Sequence, residues 1–393
     1  MKKRFSIAQI LKLVDTSGYS LHKQNVFKRI KECKTPAMGG YVSICENEEC
    51  LKIKTNFQSC RDRNCECNFK RRQESIIKVV EGKFPVKHFH VTTTMPHECN
   101  GIYFYNQRKF TKLILTANQK AIMQVAKDKW NVKGGGIAHF HSHGSDLKTH
   151  PHVHSIVPSG GISLKDGQWK SFRHHYLAHE KVIAGAFKKY FLRGLKKMIS
   201  KGSLNIPKQL GFIDVCEATL YDFVSKLCDK KWKANVQPSK RNEVHVVRYL
   251  TGYQRRSPLS NRRILSIDEN NRVRFLYKDY KNKKNDAVKA VSAKEFVRRF
   301  ANHIPEKGTH KTSSFGIYGH AVKKKNAKLA HDFVYGKDKT EHAKQIVETL
   351  KQVYRMNIII KKVIKKSSLC FSCQSSTAPF ADASGEMRLL DSG

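Results

Sequence analysis

The stretch GGGIAHFHSHGSDLKTHPHVHSIVPSGGIS (134–163) holds six histidines in two runs of alternate positions: His139, His141 and His143, then His150, His152 and His154. Alternation among apolar and β-branched residues marks a strand with two unlike faces. GGGIAHFHSH (134–143) and HVHSIVPSGGIS (152–163) read as two strands joined by the polar turn GSDLKTHP. His152 and His154 then project to one side while Val153 enters the core. Two imidazoles on one strand form a preorganised pair of metal ligands, and His141 on the preceding strand can add a third across the hairpin. Imidazole suits zinc or another transition metal whereas magnesium prefers oxygen, so these residues leave the ion open. The plainer alternative is surface histidines on a basic protein, and the flanking β-formers weigh against it.

The same periodicities extend outward. HFHVTTTMP (88–96) and NRVRFLYKDY (271–280) read as strands. Residues 106–129, 179–199 and SAKEFVRRFANHI (292–304) read as helices, the last stopped by Pro305. EVHVVRYLTGYQ (243–254) is an apolar segment that ends before Pro258, and a basic tract (307–328) precedes a last helix expected around 340–362. MKKRFSIAQILKLVD imitates a signal peptide, but Lys12 and Asp15 interrupt its apolar run, so an amphipathic first helix is expected. The fold class is α+β, with an antiparallel-sheet core and helices. Composition divides the chain into a cysteine-rich module (1–82), a core (83–305), a basic helical C-terminal region (306–366) and a loose Ser/Ala/Gly-rich tail (367–393).

The chain has 393 residues, with 75 Lys+Arg against 32 Asp+Glu and a formal net charge of +43. That surplus sets it apart from an ordinary metabolic enzyme and calls for a polyanionic partner. A hydrophobic share of 39% supports real cores. No run approaches the roughly 18 apolar residues of a spanning helix, which argues against a membrane role. The 11 cysteines are odd in number and crowded near one end. They indicate reduced thiols, metal ligation and a cytoplasmic setting.

Cys45-x4-Cys50 and Cys60-x4-Cys65-x-Cys67 supply thiolates for a structural zinc module, as two chelating knuckles brought together by a turn, with Cys33 a further candidate. Which four bind stays open. Cys370-x2-Cys373 is half a site. In RYLTGYQRR, Tyr249 and Tyr253 stand at i, i+4 and share a face if the segment is helical. On spacing alone they read more readily as packing than as nucleophiles. Arg255, Arg256, Arg262 and Arg263 stand where phosphate clamps would be wanted, although on so basic a chain such arginines are often solvated surface.

Taken in order, these blocks resemble the rolling-circle insertion-sequence transposases of the insertion sequence 91-like family. These are His-hydrophobic-His (HUH) endonucleases of the two-tyrosine type, related to replication initiators and relaxases. The likeness runs over about residues 28–320, and HPHVH followed by GG and YLTGYQRRSPLSNRRI carry it most specifically. It implies that His152 and His154 are the paired metal ligands, with His141 beside them, and that Tyr249 and Tyr253 are the nucleophiles. It implies Mg²⁺ or Mn²⁺ at the histidines and Zn²⁺ in the cysteine module. The family's SCRNRHCPKCQ block stands here as SCRDRNCECN, one residue shorter between the last two cysteines and with Asn64 in place of histidine.

The activity so implied is nicking and rejoining of single-stranded DNA at transposon ends through a covalent 5′-phosphotyrosine. Host replication machinery extends the freed 3′-hydroxyl, and the protein is cytoplasmic and on the nucleoid when acting. No GxxxxGK[ST] segment indicates a fused helicase. A plasmid replication initiator or relaxase would share the chemistry. A zinc-dependent DNA-binding protein would lack it. A histidine-triad nucleotide hydrolase fits His150-Pro-His152-Val-His154 but leaves charge, cysteines and tyrosines unexplained.

Overall fold

The computed structural model describes residues 5–45, 50, 52–68, 86–173, 176–206, 217–238, 258–279, 282, 284–336 and 387–390. Helix α1 (Ile7–Lys12) opens with a capping box, in which Ser6 Oγ accepts from the Gln9 amide and Gln9 Oε1 accepts from the Ser6 amide. Helix α2 (Leu21–Glu32) follows, then an antiparallel hairpin of β1 (Gly40–Cys45) and β2 (Ile53–Phe57). After β3 (His88–Thr94) come α3 (Asn100–Tyr105), α4 (Gln107–Trp130), β4 (Val132–Lys133), β5 (Gly135–His143), β6 (Thr149–Pro158), β7 (Gly160–Ser163) and β8 (Trp169–Ser171). Then come α5 (Glu180–Ser200), α6 (Glu217–Asp229), β9 (Lys233–Pro238), β10 (Ile264–Ile267), β11 (Arg272–Asp279) and β12 (Lys284–Ser292). The last elements are α7 (Ala293–Asn302), β13 (Thr312–Gly316), α8 (Lys323–Tyr335) and β14 (Met387–Leu390).

The central sheet has the order β13-β5-β6-β3-β9, with every neighbouring pair antiparallel. Its strands alternate as their sequence does. Val91, Phe140 and Val153 point to one face, where they are buried with Phe110 and Ile114 of α4 and Phe187 and Phe191 of α5. The histidines take the other face. Within the apolar layer, Thr93 Oγ1 donates to Asn118 Oδ1 at 3.0 Å, and Asn118 Nδ2 donates to Ser155 Oγ at 2.7 Å. All three residues are fully buried, so this short chain pins β3 and β6 in one register against α4.

Fold class α+β holds, and the structure redraws several expected edges. The strand expected over 152–163 begins at Thr149 and ends at Pro158. β7 then leaves for a separate sheet with β4 and β8. Proline cannot donate to the ladder, and a Cβ at Gly160 would lie 2.7 Å from the Trp169 ring, so only glycine lets β7 and β8 close there.

The basic tract 307–328 is no appendage beyond 305. β13 is the edge strand of the central sheet, with Thr312 opposite His139 and Gly316 opposite Gly135. Gly316 has φ +57, and a Cβ on it would sit 2.0 Å from the Gly134 carbonyl oxygen. The described part of residues 1–82 is likewise not separate. Ile10, Phe27 and Ile30 of α1 and α2 share a buried core with Val273, Phe296 and Phe300. The tail expected to be loose contributes β14, antiparallel to β1. The helix expected around 340–362 and the segment 243–254 lie outside the described residues. Among the described residues no helix is long and apolar enough to cross a membrane.

Candidate functional site

Antiparallel register sets His141 opposite His152, and His139 opposite His154. One nitrogen from each of His141, His152 and His154 lies within 4.8 Å of the others. His152 Nε2 and His154 Nε2 are 3.0 Å apart. Two imidazole ligands about 2.1 Å from one cation and about 90° apart would show that separation. His152 Nδ1 lies 2.6 Å from the His150 carbonyl oxygen, to which it donates, so Nε2 carries the lone pair. His154 Nδ1 faces His90 Nε2 at 2.8 Å and Thr92 Oγ1 at 3.2 Å, which turns His154 Nε2 toward His152. Burial first, then neighbouring imidazoles, holds His152 and His154 well below the ordinary histidine range, so both are neutral donors. These residues fit a divalent cation. Among the described residues the group contains no carboxylate, and oxygens of an anionic ligand would suit the rest of a hard ion's shell.

The cysteines resolve by hairpin geometry. At the base of the β1–β2 hairpin, Lys34 N–H donates to the Gln58 carbonyl and Cys60 N–H points to Cys33 Sγ at 3.4 Å. Cys33 therefore joins Cys60, Cys65 and Cys67, all four sulfurs lying within 4.8 Å of one another. Cys60 Sγ and Cys67 Sγ are 3.6 Å apart, close to the roughly 3.8 Å between sulfurs on a tetrahedral zinc. The two knuckles expected from spacing do not come together. Cys45 ends β1, and Cys50 lies beyond it, about 17 Å along the strand from the base. Contacts with Cys60 and then Cys65 pull the Cys67 thiol down, and contacts with Cys60 and then Cys67 push the Cys65 thiol up. Four sulfurs this close together are a donor set suited to a soft divalent cation.

Between the two clusters lies a cavity of about 310 Å³, lined by His139, His141 and His143 on one side. Arg63 and Asn64 of the cysteine loop, Phe140, Pro258, and residues 308–312 also line it, and no described lining residue is acidic. Asp62 holds the cysteine loop: Oδ1 accepts from Asn64 N–H at 2.8 Å and Oδ2 pairs with Arg29 at 2.9 Å. Glu66 Oε2 accepts from Asn261 N–H at 3.1 Å, and Asn261 Oδ1 accepts from Ile7 N–H at 3.0 Å. The cysteine module thus grips the chain just after the tyrosine-bearing segment.

Tyr249, Tyr253, Arg255 and Arg256 lie outside the described residues, as do Cys370 and Cys373. Arg262 is exposed on the turn before β10. Arg263 departs from the expected phosphate clamp. Its Nε donates to the Leu276 carbonyl at 2.7 Å and its Nη2 to the Leu276 and Ser145 carbonyls, so it ties β11 to the β5–β6 turn. Sequence reading passed over His90 and Thr92, although their alternation in HFHVTTT places them on the histidine face. It also passed over Arg63 and Thr309, which come together only in three dimensions.

Comparison with known proteins gives one answer for both halves of this arrangement. A family model described as "Transposase zinc-binding domain" matches residues 7–95, and one described as "Putative transposase" matches residues 135–328. The chain belongs to the insertion-sequence transposases of the IS91-like family. It is similar to "Putative transposase y4qJ" of Sinorhizobium fredii, with 28% identity over 321 residues, 81% of this chain and 80% of that protein. It is also similar to the "Transposase for insertion sequence element IS801" of Pseudomonas savastanoi pv. phaseolicola, with 25% identity over 311 residues, 79% of this chain and 73% of that protein.

Proposed function

We propose that this transposase nicks and rejoins single-stranded DNA at transposon ends through a covalent 5′-phosphotyrosine, with Tyr249 and Tyr253 as nucleophiles. The observation that carries the reading is the pair His152 and His154, with Nε2 atoms 3.0 Å apart and His141 opposite, at the edge of a cavity whose described lining holds no acidic residue. His141, His152 and His154 would hold Mg²⁺ or Mn²⁺, which when bound draws charge from the scissile phosphate. The chain's residues do the rest. Burial keeps the imidazoles neutral, the sheet fixes their spacing, and the basic lining attracts the strand. A tyrosine oxygen attacks phosphorus, the O3′ bond breaks, and the bond energy is kept in the phosphotyrosine for rejoining to a second 3′-hydroxyl. Cys33, Cys60, Cys65 and Cys67 would hold Zn²⁺, and host replication machinery would extend the free 3′ end.

The test is covalent capture. Wild-type protein with Mg²⁺ or Mn²⁺ and a labelled single-stranded element end should give a denaturation-resistant adduct. The double variant Tyr249→Phe, Tyr253→Phe should give none. An adduct that persists in the double variant sinks the tyrosine assignment. Absence of any adduct from wild type favours a zinc-dependent DNA-binding protein without catalysis.

A further inference from the structure

Thr309 is 3% exposed and lines the cavity beside the histidines, and its hydroxyl oxygen has no hydrogen-bond partner among the described residues. A buried hydroxyl left unmet is costly, so its retention needs an explanation. The same residue's carbonyl accepts from Arg63 Nη1 at 2.8 Å, across 246 positions of sequence. Arg63 sits on the Cys60–Cys65 loop, which Asp62 and the sulfur cluster hold in place. The Arg63 guanidinium therefore bonds the backbone of the residue that carries the unmet hydroxyl, and both residues line the cavity with His139 and His141, where no described lining residue is acidic.

We propose that Arg63 and Thr309 form a phosphate seat for the single DNA strand, which positions the backbone beside the histidine centre. The proposal rests on the nuclease reading above and names the residues that hold its substrate. The seat is shared: the cysteine module supplies the cation and the segment before the edge strand supplies the hydroxyl. The Thr309 hydroxyl donates to a non-bridging phosphate oxygen, and Arg63 places its charge on the same phosphate. On this view the cysteine module is one wall of the reaction cleft as well as a structural metal module.

The test measures binding of a single-stranded oligonucleotide by fluorescence anisotropy across a salt series, without added Mg²⁺ or Mn²⁺, alongside urea unfolding of the free protein. Arg63→Gln should bind about tenfold more weakly, and its log–log salt slope should shrink by about 0.7, the value of one lost phosphate contact. Thr309→Val should weaken binding and raise the urea midpoint of the free protein, because the unmet hydroxyl is gone. A merely structural threonine would not couple those two changes in opposite directions. Arg61→Gln, on the same loop but outside the cavity lining, should leave the slope as it is. Wild-type affinity and slope in both Arg63→Gln and Thr309→Val overturn the seat, as does an equal slope change in Arg61→Gln. If wild type forms no phosphotyrosine adduct but the Arg63 and Thr309 effects hold, the nuclease reading falls and the seat stands.

Discussion

His90 Nε2 lies 2.8 Å from His154 Nδ1, and their rings stack with centroids 4.9 Å apart. For His154 to offer its Nε2 lone pair to a cation, its Nδ1 must carry the proton and donate it to His90. His90 then acts through His154 as a positioning residue. Its replacement by phenylalanine should keep the fold and weaken Mn²⁺ binding about 10–100-fold. Mn²⁺ titration followed by electron paramagnetic resonance, with His90→Asn as the variant that can restore an acceptor, checks this. An unchanged Mn²⁺ affinity in His90→Phe would refute it.

The sulfur cluster gives a prediction that separates hairpin base from hairpin tip. Cys33→Ser should lose cluster zinc, measured as metal per chain after gel filtration, and should melt at lower temperature. Cys45→Ser should keep that zinc, because Cys45 lies outside the four-sulfur group. The reverse ranking would return the ligand set to the two sequence-adjacent knuckles.

Burial drives His88 down to about 4, and burial likewise drives His303 to about 4 against a partly opposing bond to the Leu147 carbonyl. Their unfolded values stay near 6.5. Between those limits the unfolded chain takes up protons that the folded chain refuses, so stability falls as pH drops from 6.5 toward 4. Above 6.5 the contribution is complete. Each histidine accounts for about 3 kcal/mol over the window, at about 1.4 kcal/mol per pH unit. Urea midpoints measured from pH 7.5 to 4.5 should trace that loss, and His303→Asn should flatten it. Parallel curves for wild type and variant would remove His303 from the account.

Asn118→Leu should destabilise the protein by about 2–4 kcal/mol, because Thr93 and Ser155 would be left buried without their partner. The triple variant Thr93→Val, Asn118→Leu, Ser155→Ala should recover much of that loss. If the triple variant is no better than the single one, volume rather than hydrogen bonding governs the site. Urea unfolding of all three proteins decides it.

Much of this molecule could be read from its sequence, and the successes and misses have physical causes. The alternating histidines placed β5 to within one residue and located β6, though not its ends, because a two-residue period is written directly into the chain. The long helix over 106–129 emerged as α4 to within one residue at each end. β13 escaped because TSSFG has little apolar content, and its strand character comes from pairing with β5. The two-knuckle zinc expectation failed because spacing weighs only sequence neighbours, whereas the hairpin brings Cys33 to Cys60 at its base. His90, Arg63 and Thr309 were missed for the same reason, since each gains its role from a partner at least 60 positions away.

The central sheet is completed last. β13 pairs with β5, and Thr312 Oγ1 reaches His139 Nδ1 at 2.6 Å across 173 positions of chain. During synthesis, the histidine strands therefore wait for most of the polypeptide before their outer neighbour exists. A reading-frame shift between His154 and Thr312 leaves a ribosomal product with every histidine ligand and an uncovered β5 edge, and a shift beyond Tyr335 spares β13. Frameshifts between His154 and Thr312 should accordingly cost the central sheet its outer strand, and those beyond Tyr335 should cost the β1–β2 hairpin its β14 neighbour instead.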